Sequence, residues 1–270
     1  MTERASELSD ADATYVFAVC RDPDVPALAA LAGVTGGTPV RPLSLGTLTA
    51  IVQTVRAGEF SDEAWQARLS DQRELERYAR AHHDVVSAVA TSCPTVPLPM
   101  ATLYHGEQRA REALLKETDR FHTALRRIAH HSEWGLKVYT TPTAPGGTGG
   151  RSARPVSSAD RSRPAPGTGL AYLDRKRTAQ ERRERCQEEA LRAAEAVDAD
   201  VSRLATASRR LPPHPQPSGE RRVQILNATY LVAEHRSAEL ALLARTLQER
   251  TGSQIELSGP WVPYSFVGEV

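Results

Sequence analysis

The stretch from Thr141 to Thr168 constrains the fold most, because it cannot contribute to a hydrophobic core. It contains prolines, glycines, serines and four arginines, but it has no aromatic residue, and Val156 is its only large aliphatic residue. Such a composition cannot bury enough apolar surface to offset the entropy lost on ordering. We therefore predict a flexible linker over 141–168 between an N-terminal domain over 14–140 and a C-terminal domain over 169–270. The polar residues 1–13 are predicted to be a disordered N-terminus.

The N-terminal half carries both strand and helix patterns, which predicts an α+β domain. The segment Thr14–Cys20 is apolar on both faces, as in a strand from the middle of a sheet. A stripe from Leu75 to Val89 recurs at helical spacing until Pro94 ends it. Weaker patterns predict a strand over 45–55, a helix over 106–130, and a strand over 133–139 that completes this domain.

The C-terminal half begins with a long charged helix, predicted to run from Leu170 to about Arg210. Between Ala190 and Leu211, small and apolar residues follow alternating spacings of four and three, which is a coiled-coil seam of about three heptads. We expect this seam to pack on its own domain, and a coiled-coil adaptor is the alternative. A strand, a helix, a short strand and a terminal segment are predicted to follow over 222–232, 238–247, 254–257 and 258–266.

We call residues Ser258–Phe266 the terminal strap. Pro260 and Pro263 lack backbone donors, so this segment cannot join a helix or a central strand. Its three aromatic residues, Trp261, Tyr264 and Phe266, carry large apolar areas. The strap is therefore predicted to cross a domain surface, where local physics favours a clasp that closes a core.

The composition argues against several classes of function. The 34 basic and 33 acidic side chains nearly cancel, so no overall field attracts nucleic acid or an anionic membrane. No window approaches the roughly 20 apolar residues that span a bilayer. The three cysteines are widely separated, which favours a reducing, cytosolic compartment over a disulfide framework.

No residue pattern points to catalysis, a metal or a cofactor. The pairs His82-His83 and His130-His131 are sequence neighbours that point to different faces, so metal binding is not expected, and His82 is predicted to be a hydrogen-bonded core imidazole. Cys93 lies at a helix end, where activation is not favoured, so we predict an ordinary buried thiol. A small-molecule enzyme remains the less favoured alternative.

Taken in order, eight motifs carry a family resemblance over nearly the whole chain. They are Tyr15-Val-Phe-Ala-Val19, Gly46-Thr-Leu-Thr-Ala-Ile-Val52, Ala79-Arg-Ala-His-His83, Val96-Pro-Leu-Pro-Met-Ala-Thr102, Glu133-Trp-Gly-Leu-Lys-Val-Tyr139, Gly169-Leu-Ala-Tyr-Leu173, Leu226-Asn-Ala-Thr-Tyr-Leu-Val232 and Gly259-Pro-Trp-Val-Pro-Tyr-Ser-Phe266. Together they resemble the gas vesicle protein F/L family. The chain departs from the family pattern at Pro99 and Ala101, where the family usually has Arg and Gly, and at Val262, which replaces a common Pro.

The resemblance implies a non-enzymatic accessory or minor structural protein with two α+β domains that elaborate ferredoxin-like elements. It implies a role in gas vesicle assembly through binding of the small hydrophobic shell protein and other accessory proteins, in the cytoplasm and associated with gas vesicles. No cofactor, nucleic acid, membrane or small-molecule substrate is expected. The predicted partner-binding residues are Trp261, Tyr264, Phe266, Tyr230 and Tyr172.

Overall fold

The computed structural model describes residues 12–140, 168–213 and 222–268, without the side chains of residues 62, 168–172 and 175. The predicted linker over 141–168 therefore lies outside the described residues, apart from the backbone of its last residue. The predicted disordered N-terminus lies outside them too, apart from residues 12 and 13, which belong to the first strand.

The first sheet is five-stranded and antiparallel. Its strands are β1 (Asp12–Cys20), β2 (Val40–Leu45), β3 (Leu48–Arg56), β4 (Thr95–Pro97) and β5 (Leu103–Tyr104). The order is β2-β3-β1-β4, and β5 also pairs with β1. Every residue of β1 after Asp12 is buried, which confirms the predicted central strand. A strand covered on both faces needs apolar residues without alternation.

Helices cover both faces of this sheet. They are α1 (Val25–Leu28), α2 (Asp62–Ser70), α3 (Gln72–Ala90), α4 (Glu107–Lys116) and α5 (Thr118–Ile128). The predicted stripe of α3 packs on one face with Tyr15 and Phe17 of β1. The apolar side of α4 and α5, including Phe121, packs on the other face with Val16 and Val19. This unit therefore has three layers, with the sheet in the middle.

Two predicted elements of the N-terminal half are divided in the structure. The strand predicted over 45–55 is the β2–β3 hairpin, whose turn includes Gly46 with a φ of +77°. A left-handed φ suits glycine, so this residue marks the turn. The helix predicted over 106–130 is α4 followed by α5, with a break at Glu117.

The second sheet is four-stranded, in the order β7-β8-β6-β9. Its strands are β6 (His131–Thr140), β7 (Ala207–Arg210), β8 (Val223–Ala233) and β9 (Gln254–Trp261). We predicted that the 133–139 strand completes the N-terminal domain, and this is wrong. That strand is β6, which pairs with β8 and β9 at the centre of the second sheet. Its half-buried pattern identifies a strand but not the sheet that it joins, so the predicted boundary at residue 140 divides the second structural unit.

The long helix α6 (Thr168–Leu204) ends earlier than predicted, because β7 begins at Ala207. Ser208 and Leu211 of the predicted seam are therefore not helical. The helical part of the seam, including Val197 and Val201, is buried against β6, β8 and α7 (Ser237–Thr251). Packing on its own domain is thus confirmed, and the apolar seam of the adaptor alternative is occupied within the chain.

The two units share one topology. In each, the chain runs strand, helix, strand, strand, helix, strand, and the third strand lies between the first and the second. This is the β-α-β-β-α-β arrangement of ferredoxin-like folds. The first unit adds α4 and α5 on the second face of its sheet. The predicted fold class, α+β with ferredoxin-like elaborations, is confirmed.

Candidate functional site

The terminal strap connects the two units. It leaves the second sheet at the end of β9, an edge strand, which fits the prolines of this segment. Val262 then packs against the α3 side of the first sheet. Val267, just beyond the strap, packs in the core on the opposite side of that sheet. The last residues of the strap, Tyr264–Phe266, form a short 3₁₀ helix. The strap therefore contacts both units, and its packing is not confined to the C-terminal one.

Near its start, the strap passes very close to the backbone of β6 at Gly259. Gly259 has a φ of +136°, and a Cβ on it would lie 2.9 Å from the carbonyl oxygen of Glu133 and 3.0 Å from the Trp134 ring. Only glycine fits this position without displacing β6. The register shift between Glu133 and Gly135 lies in the same place, so the strap leaves the sheet at an irregularity of β6.

Glu133 holds the strap on the second sheet. Glu133 is 7% exposed, and its carboxylate accepts two hydrogen bonds from Ser265, from the backbone N–H at 2.8 Å and from Oγ at 2.6 Å. Arg209 Nη1 donates to the Ser265 carbonyl oxygen at 3.4 Å. Hydrogen bonds to an ionised acceptor are among the stronger ones in proteins. The position of the strap is thus determined by polar contacts as well as by apolar packing.

A cleft of about 550 Å³ lies between the strap, the end of α3 and the start of β6. Residues from both units line it, including His83, Cys93, His130, His131, Glu234 and Trp261. His131 is fixed at both ring nitrogens, by the Ala129 carbonyl at 2.7 Å and by Thr206 Oγ1 at 2.9 Å. The cleft is the place where the two units and the strap meet, so we take it as the candidate functional site.

The strap presents two aromatic side chains beside this cleft. Trp261 is 49% exposed and Tyr264 is 38% exposed. Both rings contact the His83 ring, with centroid distances of 5.9 Å and 6.2 Å. Large aromatic side chains that remain partly exposed are characteristic of protein-protein interfaces.

The other predicted partner-binding residues are placed differently. Phe266 is 4% exposed, and it forms part of the core as the clasp interpretation predicted, whereas the half-exposed Trp261 does not. Tyr230 is fully buried and donates to Asp198 Oδ1 at 2.6 Å. Burial, and then this hydrogen bond, raise the pKa of Tyr230 above its ordinary value. Phe266 and Tyr230 therefore cannot contact a partner in this fold. The Tyr172 side chain lies outside the described residues.

His82 lies in the core of the first unit. The residue is 4% exposed, and Nδ1 shares a hydrogen bond of 2.9 Å with the Tyr15 hydroxyl, which confirms the predicted core imidazole. Burial lowers the pKa of His82 to about 4, and the neighbouring His83 acts in the same direction. Within the described ranges, no group of three His, Cys, Asp or Glu residues could hold a metal ion. No helix in those ranges has the length and apolar character needed to cross a membrane.

Sequence reasoning missed two features of this site. Glu133 is separated from Ser265 by nearly half the chain, and no local pattern marks a carboxylate that binds a distant strap. Cys93 was predicted to be an ordinary buried thiol, but it lines the cleft, and the Cys20 side chain lowers its pKa. The spacing of the cysteines contains no signal for this proximity.

The comparisons with known proteins decide the family. A family model described as gas vesicle synthesis protein GvpL/GvpF matches residues 13–268. The chain belongs to the GvpL/GvpF family of gas vesicle proteins. It is 36% identical over 256 residues to gas vesicle protein L from Streptomyces sp., a match that covers 94% of this chain and 92% of the relative.

Two crystal structures of GvpF proteins share the fold. The protein from Anabaena sp. superposes with a TM-score of 0.64, at 12% identity, over 96% of this chain and 98% of that one. The protein from Microcystis aeruginosa gives a TM-score of 0.59, also at 12% identity, over 95% and 99% of the two chains. Because each superposition covers at least 95% of this chain, both units share the fold of these GvpF structures.

Proposed function

We propose that this protein acts in gas vesicle assembly as a non-catalytic accessory component that binds the gas vesicle shell protein. The family membership supports a gas vesicle role, and the half-exposed Trp261 beside the cleft is the observation that carries the binding proposal. In this proposal the protein works in the cytoplasm, associated with growing vesicles, alongside other accessory proteins.

The chemistry of the cleft suits an apolar segment of the shell protein. Trp261 and Tyr264 offer apolar ring surface, and the Trp261 indole N–H and the Tyr264 hydroxyl can pair with polar groups. The strap is held by Glu133 and by Phe266, so these rings do not have to be ordered during binding. Trp and Tyr are enriched among binding hot spots, and preorganisation reduces the entropy lost on binding.

The test is a pull-down of the major shell protein by the intact chain, with Trp261→Ala as the main variant. We expect a loss of affinity of about 10-fold or more, in the range of an interface hot spot. Trp261→Phe should retain most of the binding, because it keeps an aromatic ring. Circular dichroism and thermal unfolding establish that each variant is folded.

Leu242→Ala is the matched control, since Leu242 is 67% exposed on α7 and does not line the cleft. It should bind the shell protein as well as the unchanged chain does. If the folded, unchanged chain fails to bind the shell protein, the proposed function is wrong. Equal losses in Leu242→Ala and Trp261→Ala would instead show that the cleft is not the binding site.

A further inference from the structure

Cys93 lies in the turn between α3 and β4 and is one of the residues that line the cleft. Its side chain is partly buried, and its Sγ donates to the Val89 carbonyl oxygen at 3.7 Å. Thr95 Oγ1 lies 3.9 Å from the same sulfur. The thiol is thus held against polar groups at a wall of the cleft that solvent reaches.

A second thiol lies beside it. Cys20 ends β1 and is completely buried, and its Sγ donates to the Thr49 carbonyl oxygen at 3.6 Å. In the β1–β4 pairing, Cys20 stands opposite Thr95, two residues after Cys93. Diagonal neighbours of this kind lie roughly 7–8 Å apart, and the side chains of Cys20 and Cys93 interact across this gap. Cys20 belongs to the apolar cluster on the α3 side of the first sheet, and the partly buried Cys93 packs against that cluster.

The two thiols have opposite tendencies to ionise. The pKa of Cys93 is lowered to about 6, mainly by the Cys20 side chain and then by the hydroxyls of Thr95 and Ser92 and the backbone N–H of Arg21, while burial opposes this. The pKa of Cys20 is raised above its ordinary value by Cys93 and by burial. One cysteine is therefore disposed to be a thiolate while its neighbour keeps its proton.

We propose that Cys93 and Cys20 form an oxidisable thiol pair, in which Cys93 reacts with a peroxide from the cleft and Cys20 then closes an intramolecular disulfide. In the first step the Cys93 thiolate attacks one peroxide oxygen, the O–O bond breaks, and Cys93 sulfenic acid and hydroxide are formed. In the second step the Cys20 sulfur attacks the Cys93 sulfur and displaces hydroxide, which leaves as water with the Cys20 proton. Each sulfur is oxidised by one electron overall, and the peroxide is reduced.

The disulfide would tie the turn after α3 to the end of β1. This turn forms part of the cleft wall that Trp261 also lines, so oxidation acts on the same surface as the proposed partner site. The inference itself depends only on the two thiols and not on the shell-protein proposal.

The experiment treats the intact, reduced chain with hydrogen peroxide and identifies the products by mass spectrometry under non-reducing conditions. We expect a loss of about 2 Da and a peptide that links Cys20 to Cys93. The exposed Cys186 is the third free thiol, so Cys186→Ser should give the same product. In Cys20→Ser the disulfide cannot form, and dimedone should trap a sulfenic acid at Cys93.

A second measurement does not depend on disulfide closure. At pH 7 we expect iodoacetamide to label Cys93 about 10-fold faster than Cys186, with a rate that rises around pH 6 and then levels off, because the thiolate is the nucleophile. A pH profile of Cys93 labelling that still rises above pH 8 would overturn the proposal. A disulfide that forms only between molecules, or through Cys186, would overturn it as well.

Discussion

Glu133 on the central strand β6 accepts both the backbone N–H and the hydroxyl of Ser265 in the strap, at 2.8 Å and 2.6 Å. This contact explains how the part of the strap beyond β9 is held at a defined place beside the cleft. A buried carboxylate is costly without hydrogen-bond partners. Ser265 of the strap supplies two donors to Glu133 of β6, and Glu133 in turn supplies their acceptor.

The strap should loosen when this carboxylate is removed. Glu133→Ala leaves the Ser265 N–H without its acceptor, and we expect a loss of about 2 kcal/mol in unfolding free energy from denaturant titration. Hydrogen exchange at the Ser265 amide should become faster. Ser265→Ala keeps the backbone bond and should cost only about 1 kcal/mol. An unchanged exchange rate at residue 265 in Glu133→Ala would show that Glu133 does not hold the strap.

Gln53 should be a principal support of the loop before β2. Its side chain is fully buried, accepts from the Val34 N–H at 2.9 Å, and donates to the carbonyl oxygens of Thr35 and Thr38 at 2.9 Å and 2.7 Å. Gln53→Leu leaves several buried backbone groups unpaired, so a loss of about 3 kcal/mol or more is expected in denaturant titration. Gln66→Leu, at an exposed position of α2, should change stability by at most about 0.5 kcal/mol. Similar effects of the two changes would contradict this account.

Ala101 has a φ of +65° although it is not a glycine. An alanine is strained in this left-handed region, so Ala101→Gly should stabilise the protein by up to about 1 kcal/mol. Its N–H bond to the Tyr15 hydroxyl, at 3.1 Å, is retained. The same replacement at Ala88, inside α3, should destabilise by about 1 kcal/mol. Thermal unfolding of both variants gives the comparison, and a lower midpoint for Ala101→Gly would refute the strain argument.

His82 should make the first unit sensitive to acid. The pKa of His82 is about 4 in the folded protein and 6.5 in the unfolded chain. Above pH 6.5 the histidine is therefore neutral in both states and does not contribute to the pH dependence of the unfolding free energy. As the pH falls from 6.5 to about 4, only the unfolded state gains the proton, and stability decreases by up to about 3 kcal/mol. The unfolding free energy measured between pH 7 and pH 4 checks this.

Two variants isolate the contribution of His82. His82→Leu should lower stability at neutral pH, because the Tyr15 hydroxyl loses one of its two hydrogen-bond partners, but it should show a shallower decline towards pH 4. His105→Gln, at an exposed position, should retain the full slope. An equally steep decline in His82→Leu would assign the acid sensitivity to other groups.

Local sequence patterns were sufficient for the elements that carry a strong apolar period. The stripe of α3 and the continuous apolar run of β1 both appear where they were predicted. An apolar stripe at helical spacing can be buried only as one face of a helix, and a continuous apolar run suits a strand that is covered on both faces. Where the apolar period is weak, boundaries were wrong, as at the β2–β3 hairpin and the end of α6.

The sequence by itself determined the α+β class, the main elements and the family resemblance. The tertiary structure alone decided that β6 belongs to the second sheet, since pairing such as Leu136 with Ala228 depends on packing between distant segments. The same holds for the candidate site, where Trp261 meets His83 from the other unit and Cys93 meets Cys20. Local periodicity specifies which face of an element is buried, but only the assembled core specifies which residues become neighbours.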